Sequence, residues 1–262
     1  MTDKYGNFGA LAVELKDGAL WVKMSDKGGQ LDDDLAVLYR RAGLDPEVRV
    51  IILTGSAEKA FCVGGGGTGV PADGPARNAY WVNGMVSARE VILSALDCDK
   101  PVIGRINGHA VGKGCSIALC CDITVMVEDS KIGDTHVKVG LTAGDGGSLL
   151  WPHIVGLMRA KRFLLTGDLL TGKEAAEIGL VTESVPRAKL DERTAYWVGR
   201  MTGGASKAIS LTKRALNSSI RQHAATHMDM SLGMETLSFL TEDHREGAKA
   251  LSEKREPKFS GR

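Results

Sequence analysis

Two short apolar segments, Leu11 to Glu14 and Ala19 to Met24, flank Lys16-Asp17-Gly18, the pattern of a β-hairpin closed by a tight turn. From Leu31 to Ala42 the apolar spacing becomes helical, with Leu35, Leu38 and Tyr39 on one face. The acids Asp32, Asp33 and Asp34 fall in the first turn, where the helix dipole favours them, and read as a solvated helix end. The unbroken apolar run Val48 to Leu53 predicts a buried strand. A helix from about Ala76 to Leu96, a strand at Val102 to Ile106, a helix at Gly112 to Leu119 and a strand at Ile123 to Val127 follow. Strands alternating with helices predict an α/β fold with right-handed βαβ crossovers. Beyond Gly156 the periodicity is helical: Leu157 to Leu165, Lys173 to Ile178, Lys189 to Met201, Ser206 to Ser218, and a long pattern from Ile220 to Leu251. The composition shifts near Gly203-Gly204, dividing a mixed core (residues 1–200) from a helical segment (residues 201–262). In that segment Met230, Met234 and Leu237 form an i, i+4, i+7 stripe expected in the core or between subunits.

Composition narrows the class of function. With 262 residues, 43% hydrophobic and 25% charged, the chain matches an ordinary globular protein. Net charge is +1 with no basic block and 5% aromatic residues, so neither nucleic acid nor an anionic membrane surface is an expected partner. The first residues lack an apolar signal core, and no segment approaches transmembrane length. Five cysteines, odd in number and without a Cys-x-x-Cys pair, read as small buried hydrophobes in a reducing compartment. A cytoplasmic location is the expectation.

Two glycine turns carry the chemistry. Gly64 to Gly67 follow the strand at Val48 and the segment Ala60-Phe61-Cys62-Val63; Gly112-Lys113-Gly114 opens the helix after Asn107-Gly108. Glycine lets a backbone approach a ligand closely, and a helix start leaves N–H groups free to face an oxygen. Two such turns supply two donors for one carbonyl oxygen, as an oxyanion site requires. The four glycines are not a phosphate-binding P-loop, because no Gly-Lys-Ser/Thr closes them, and they lack the dinucleotide spacing.

Here the sequence resembles the crotonase superfamily, the enoyl-CoA hydratase/isomerase group. The carrying motifs are Leu53-Thr54-Gly55 with Ala60-Phe61 and Gly64, then Lys100-Pro101-Val102-Ile103, Asn107-Gly108 and Cys121-Asp122. Leu164-Leu165-Thr166-Gly167, Lys213 to Asn217 and the Glu246-Gly247 tail continue the pattern over essentially the whole chain. The resemblance implies a crotonase spiral of βαβ units with a helical C-terminal segment, and assembly as a homotrimer, often paired into a hexamer. It places the oxyanion amides at Gly65 and Lys113, with Gly64, Gly66, Gly112, His109 and Ser116 lining the substrate. At Lys113 the backbone N–H is the group of interest, and the side chain reads as a solvated cation.

Hydratases of this group use two glutamates; the matching positions here are Ser116 and His136, and Gly66 replaces an acid common after the first turn. The chain offers instead His136 in Asp134-Thr135-His136 and Asp145 in Gly144-Asp145-Gly146-Gly147. Histidine titrates near neutral pH, and an aspartate bonded to it fixes its tautomer. This pair, with Trp151-Pro152-His153, partly resembles the 6-oxocamphor hydrolase branch. Three readings stay open: acyl-CoA hydratase/isomerase chemistry through a held enolate, retro-Claisen cleavage of a β-diketone, and a catalytically silent acyl-CoA binder. None needs a metal or redox cofactor, coenzyme A entering as part of the substrate. His223 and His227, four apart on a helix, form a metal edge without a third ligand and read as a solvated face.

Overall fold

The computed structural model describes residues 4–5, 7–25, 29–64 and 74–262. The hairpin forms as the sequence predicts: β1 (Leu11–Lys16) and β2 (Ala19–Met24) pair antiparallel. Asp17 and Gly18 both take positive φ, 50° and 79°, in the two-residue turn between them. Helix α1 (Gly29–Leu44) then leads to β3 (Val50–Gly55), buried along its whole length. A six-stranded sheet runs β1-β2-β3-β5-β7-β10, with β5 (Val102–Ile106), β7 (Ile123–Val127) and β10 (Glu183–Val185) parallel to β3. Strands β4 (Ala60–Cys62), β6 (His109–Val111), β8 (Lys131–Gly133) and β9 (Leu170–Thr171) form a second, smaller sheet. These short strands carry too few residues to show a period.

The two sheets are linked by one repeated step. Each of β3, β5 and β7 passes through two to four residues into β4, β6 or β8 of the small sheet. Helices α2 (Gly74–Asp97) and α3 (Lys113–Leu119) then return the chain to the large sheet, giving a spiral. Asn107 fastens one such step. Its Oδ1 accepts from the Gly55 N–H at 2.9 Å and from Thr54 Oγ1 at 3.1 Å, and its Nδ2 donates to the Ala57 carbonyl at 2.7 Å. Gly108 must be glycine, because a Cβ there would sit 2.1 Å from the Lys59 carbonyl carbon.

Alternate residues of β3 serve two cores. Ile51 and Leu53 join the large cluster beneath α1 and α2, whereas Val50 and Ile52 pack with Ile103 against Trp197 and Met201 of α7 (Leu190–Thr202). Helices α4 (Gly147–Val155), α5 (Leu157–Thr166) and α6 (Gly172–Glu177) precede β10. The expected break near Ser218 does not occur. Instead α8 (Ser206–Ser238) is one 33-residue helix, and the chain breaks at Thr241, whose Oγ1 accepts from the His244 N–H and caps α9 (Glu242–Glu253). Lys213 and Asn217 lock α8 to the base of the spiral, through Asp122 and the Lys100 and Leu96 carbonyls. Ala224, Met228 and Leu232 of α8 join the main core. Met230, Met234 and Leu237 do not: they are 50%, 50% and 60% exposed on the chain, which removes the core half of the expectation for that stripe. Among the described residues no helix is long and apolar enough to cross a membrane.

Candidate active site

The start of α3 and the end of β4 lie side by side. A Cβ on Gly114 would fall 1.8 Å from the Cys62 carbonyl oxygen, and one on Gly64 would lie 3.8 Å from that of Val111. Gly64 and the Gly112-Lys113-Gly114 turn are thus neighbours. Gly64 has φ 80° and Gly112 has φ 58°, both left-handed conformations that suit glycine. Lys113 is the first residue of α3, so its N–H has no acceptor within the helix. Gly65 and Gly66 lie outside the described residues.

His136 stands against this helix start. Its Cε1 is 3.9 Å from where a Cβ of Gly112 would be. Strand β8 delivers Gly133, Asp134 follows buried, and a one-turn 3₁₀ segment begins at His136. Asp134 Oδ1 lies 2.6 Å from His136 Nδ1 and also accepts the His136 N–H at 3.1 Å. The carboxylate hydrogen-bonded to the ring is Asp134 and not Asp145, the partner expected from the sequence. Among the described residues only Asp134, two residues before the ring on the same strand exit, reaches Nδ1. Asp145 faces the other nitrogen, its Oδ2 3.6 Å from Nε2, and its Oδ1 accepts from Ser116 Oγ at 3.2 Å.

A fourth group comes from α8. Glu235, buried, places Oε1 4.0 Å from His136 Nε2, while its Oε2 has no hydrogen-bond partner among the described residues. The signal for it in the sequence was a charge on the buried face of α8, in register with Ala224, Met228 and Leu232. The Gly144 to Gly147 turn fits between these acids. A Cβ on Gly144 would meet Glu235 Oε2 at 2.7 Å, and one on Gly147 would meet Asp134 Oδ2 at 2.3 Å. Asp145 serves no helix cap, since Gly146 occupies that position without a side-chain bond.

Asp32 corrects the reading of the acidic triplet as solvated. It lies three residues before Leu35 on the buried face of α1, is fully buried, and pairs with Lys113 Nζ. The Lys113 side chain is therefore an ion-pair partner and not a free cation. Only Asp33 of the triplet is exposed; Asp34 accepts the Ala10 N–H at 2.7 Å. His109 takes no part in this cluster's hydrogen bonds. It is exposed, and its Nδ1 accepts the N–H of Lys131, tying β6 to β8.

Four carboxyl groups thus surround two cations. Burial favours a neutral imidazole, but the charges of Asp145 and Asp134, the Asp134 hydrogen bond and Glu235 prevail and push His136 up to about 10. Burial also opposes the charge of Asp134, yet the adjoining ring and its N–H donors hold that carboxyl below its ordinary value. Glu235 is pushed up to about 8, by burial first and then by Asp145. Near neutral pH the site therefore presents an imidazolium, a protonated Glu235 and an ionised Asp134. Donor atoms of Asp134, His136 and Asp145 lie within 4.8 Å of one another.

Three comparisons bear on this arrangement. A family model described as enoyl-CoA hydratase/isomerase matches residues 29–262. Crotonyl-CoA hydratase of Syntrophomonas wolfei is 33% identical over 225 residues, covering 82% of each chain. (E)-Benzylidenesuccinyl-CoA hydratase of Thauera aromatica is 34% identical over 236 residues, covering 87% of this chain and 88% of that one. The crystal structure of an enoyl-CoA hydratase from Mycobacterium avium subsp. paratuberculosis superposes with a TM-score of 0.87 at 25% identity, over 97% of this chain and 100% of that one.

Proposed function

This chain belongs to the enoyl-CoA hydratase/isomerase family, and from that premise we propose that it adds water to, or shifts the double bond of, an acyl-CoA thioester. The observation that carries the reading is the place of the His136 ring beside the start of α3, its Cε1 3.9 Å from where a Cβ of Gly112 would be. A carbonyl oxygen held by the Lys113 N–H, with Gly65 as the second donor, puts the acyl α-carbon and β-carbon beside the imidazolium. As negative charge develops on the oxygen, preorganised N–H donors lower the barrier without reorganising.

In the hydration direction, Asp145 takes a proton from water as the hydroxyl bonds to the β-carbon. His136 Nε2 gives its proton to the α-carbon of the enolate. Asp145, 3.6 Å from Nε2, then returns its proton to the ring, which closes the cycle with one water consumed. Asp134 stays ionised and anchors the ring through Nδ1. Serine at position 116, bonded to Asp145, thus occupies a position from which it holds the base. The half-exposed Met230, Met234 and Leu237 support a homotrimer or hexamer in which that stripe meets another subunit.

Hydration of crotonyl-CoA, followed by loss of enoyl absorbance, tests the reading. His136→Ala should lower turnover about 10²- to 10⁴-fold with KM little changed, since the backbone donors remain. No turnover of any enoyl thioester, no thermal shift with acetyl-CoA, and a shift with a cyclic β-diketone would replace it with carbon–carbon hydrolysis.

A further inference from the structure

Helix α4 brings a third imidazole to the pair His223 and His227 on α8. The ring centroids of His153 and His223 are 5.1 Å apart, and those of His223 and His227 are 4.8 Å apart. Two imidazoles sharing one tetrahedral ion, with metal–nitrogen bonds of about 2 Å, have centroids roughly 5 Å apart. We propose that His153, His223 and His227 form a site for a divalent transition-metal ion such as Zn²⁺, Ni²⁺ or Cu²⁺, pinning α4 to α8.

The hydrogen bonds prepare the ligands. His153 Nδ1 lies 2.8 Å from the Leu149 carbonyl oxygen, which can only accept, so Nδ1 carries the proton and Nε2 keeps its lone pair. Imidazoles that bind metals are commonly oriented in this way by a backbone carbonyl. His227 Nε2 is 2.9 Å from Ser148 Oγ, which leaves Nδ1 for the ion. His153 and His223 are exposed on the chain, so their rings are free to turn toward an ion. Three imidazole ligands with an open fourth position suit a borderline-soft ion rather than Mg²⁺ or Ca²⁺. His227 lies eight residues, roughly 12 Å of helix, before Glu235, and α4 begins two residues after Asp145. The ion therefore ties the two helices that border the candidate active site, whatever reaction that site performs.

Titration calorimetry with Ni²⁺ and Zn²⁺ on protein without a histidine tag tests the site. One ion per chain is expected, with a raised melting temperature and affinity in the order Cu²⁺ above Ni²⁺ and Zn²⁺. His153→Ala and His223→Ala, both at exposed positions, should each weaken binding at least tenfold. Nitrogen splitting in the Cu²⁺ resonance spectrum should report three imidazoles. Binding unchanged by His153→Ala, or abolished by His136→Ala instead, would overturn the proposal.

Discussion

Replacing Asp134 by Asn asks whether one carboxylate keeps His136 charged. Asn matches the shape, which matters because the space beside Oδ2 is closed by Gly147. With Oδ1 2.6 Å from Nδ1, the two charge centres are roughly 4 Å apart, and at an effective dielectric of about 20 their attraction is about 4 kcal/mol. Divided by 1.36 kcal/mol per pKa unit, that is about 3 units. His136 should then fall from about 10 to roughly 7, since Asp145 and Glu235 remain. If the imidazolium is the proton donor, the alkaline limb of kcat/KM for an enoyl-CoA moves down by that amount. Below the limb the ring still holds both protons, so the plateau should drop by less than the ~10²-fold that deleting a positioned proton donor costs. Initial rates across pH, with spontaneous thioester loss subtracted, measure both quantities. Repeating them in Glu235→Gln removes the carboxyl that titrates near 8. An unmoved limb would refute both the charge coupling and the role of the ring as acid.

Two further outcomes follow from the buried charges. Lys113→Ala keeps the backbone donor but strands fully buried Asp32, so it should cost about 3–5 kcal/mol in denaturant unfolding, most of it recovered by adding Asp32→Asn. A mild effect of the single change would show that Asp32 does not depend on the pair. Glu235 is raised in the folded state, so its contribution is fully present below its unfolded value of 4.5 and lost as pH rises through about 8. His136, raised from 6.5 to about 10, adds a second loss at higher pH. Stability should therefore fall on the alkaline side, and Glu235→Gln should remove the earlier part of the fall. An identical pH profile in that variant would show that Glu235 ionises normally.

The spiral was legible because its strands β3, β5 and β7 are buried on both faces and read as apolar runs, and its helices carry long periodic stripes. Local chemistry was legible too: the hairpin turn at Asp17-Gly18, the positive-φ glycines at 64 and 112, and the family motifs around them. The boundary between α8 and α9 was not, because a helix 33 residues long continues through Asn217 and Ser218 on tertiary contacts that outweigh their weak helical preference. Nor was the set of charges around His136. The sequence identifies His136 and Asp145 as neighbours, but not Asp134 as the carboxylate hydrogen-bonded to the ring. Asp134 was read only as part of a motif, Asp32 as a solvated helix end and Glu235 as part of a helix. A carboxylate's role depends on what surrounds it. Asp32 and Glu235 arrive from helices about 200 residues apart, and only packing makes them share a buried space with Lys113 and His136. The same holds for His153, silent on α4 until α8 lies across it. Burial patterns are periodic and therefore written locally; electrostatic partnership is set by distances across the fold, which no local pattern encodes.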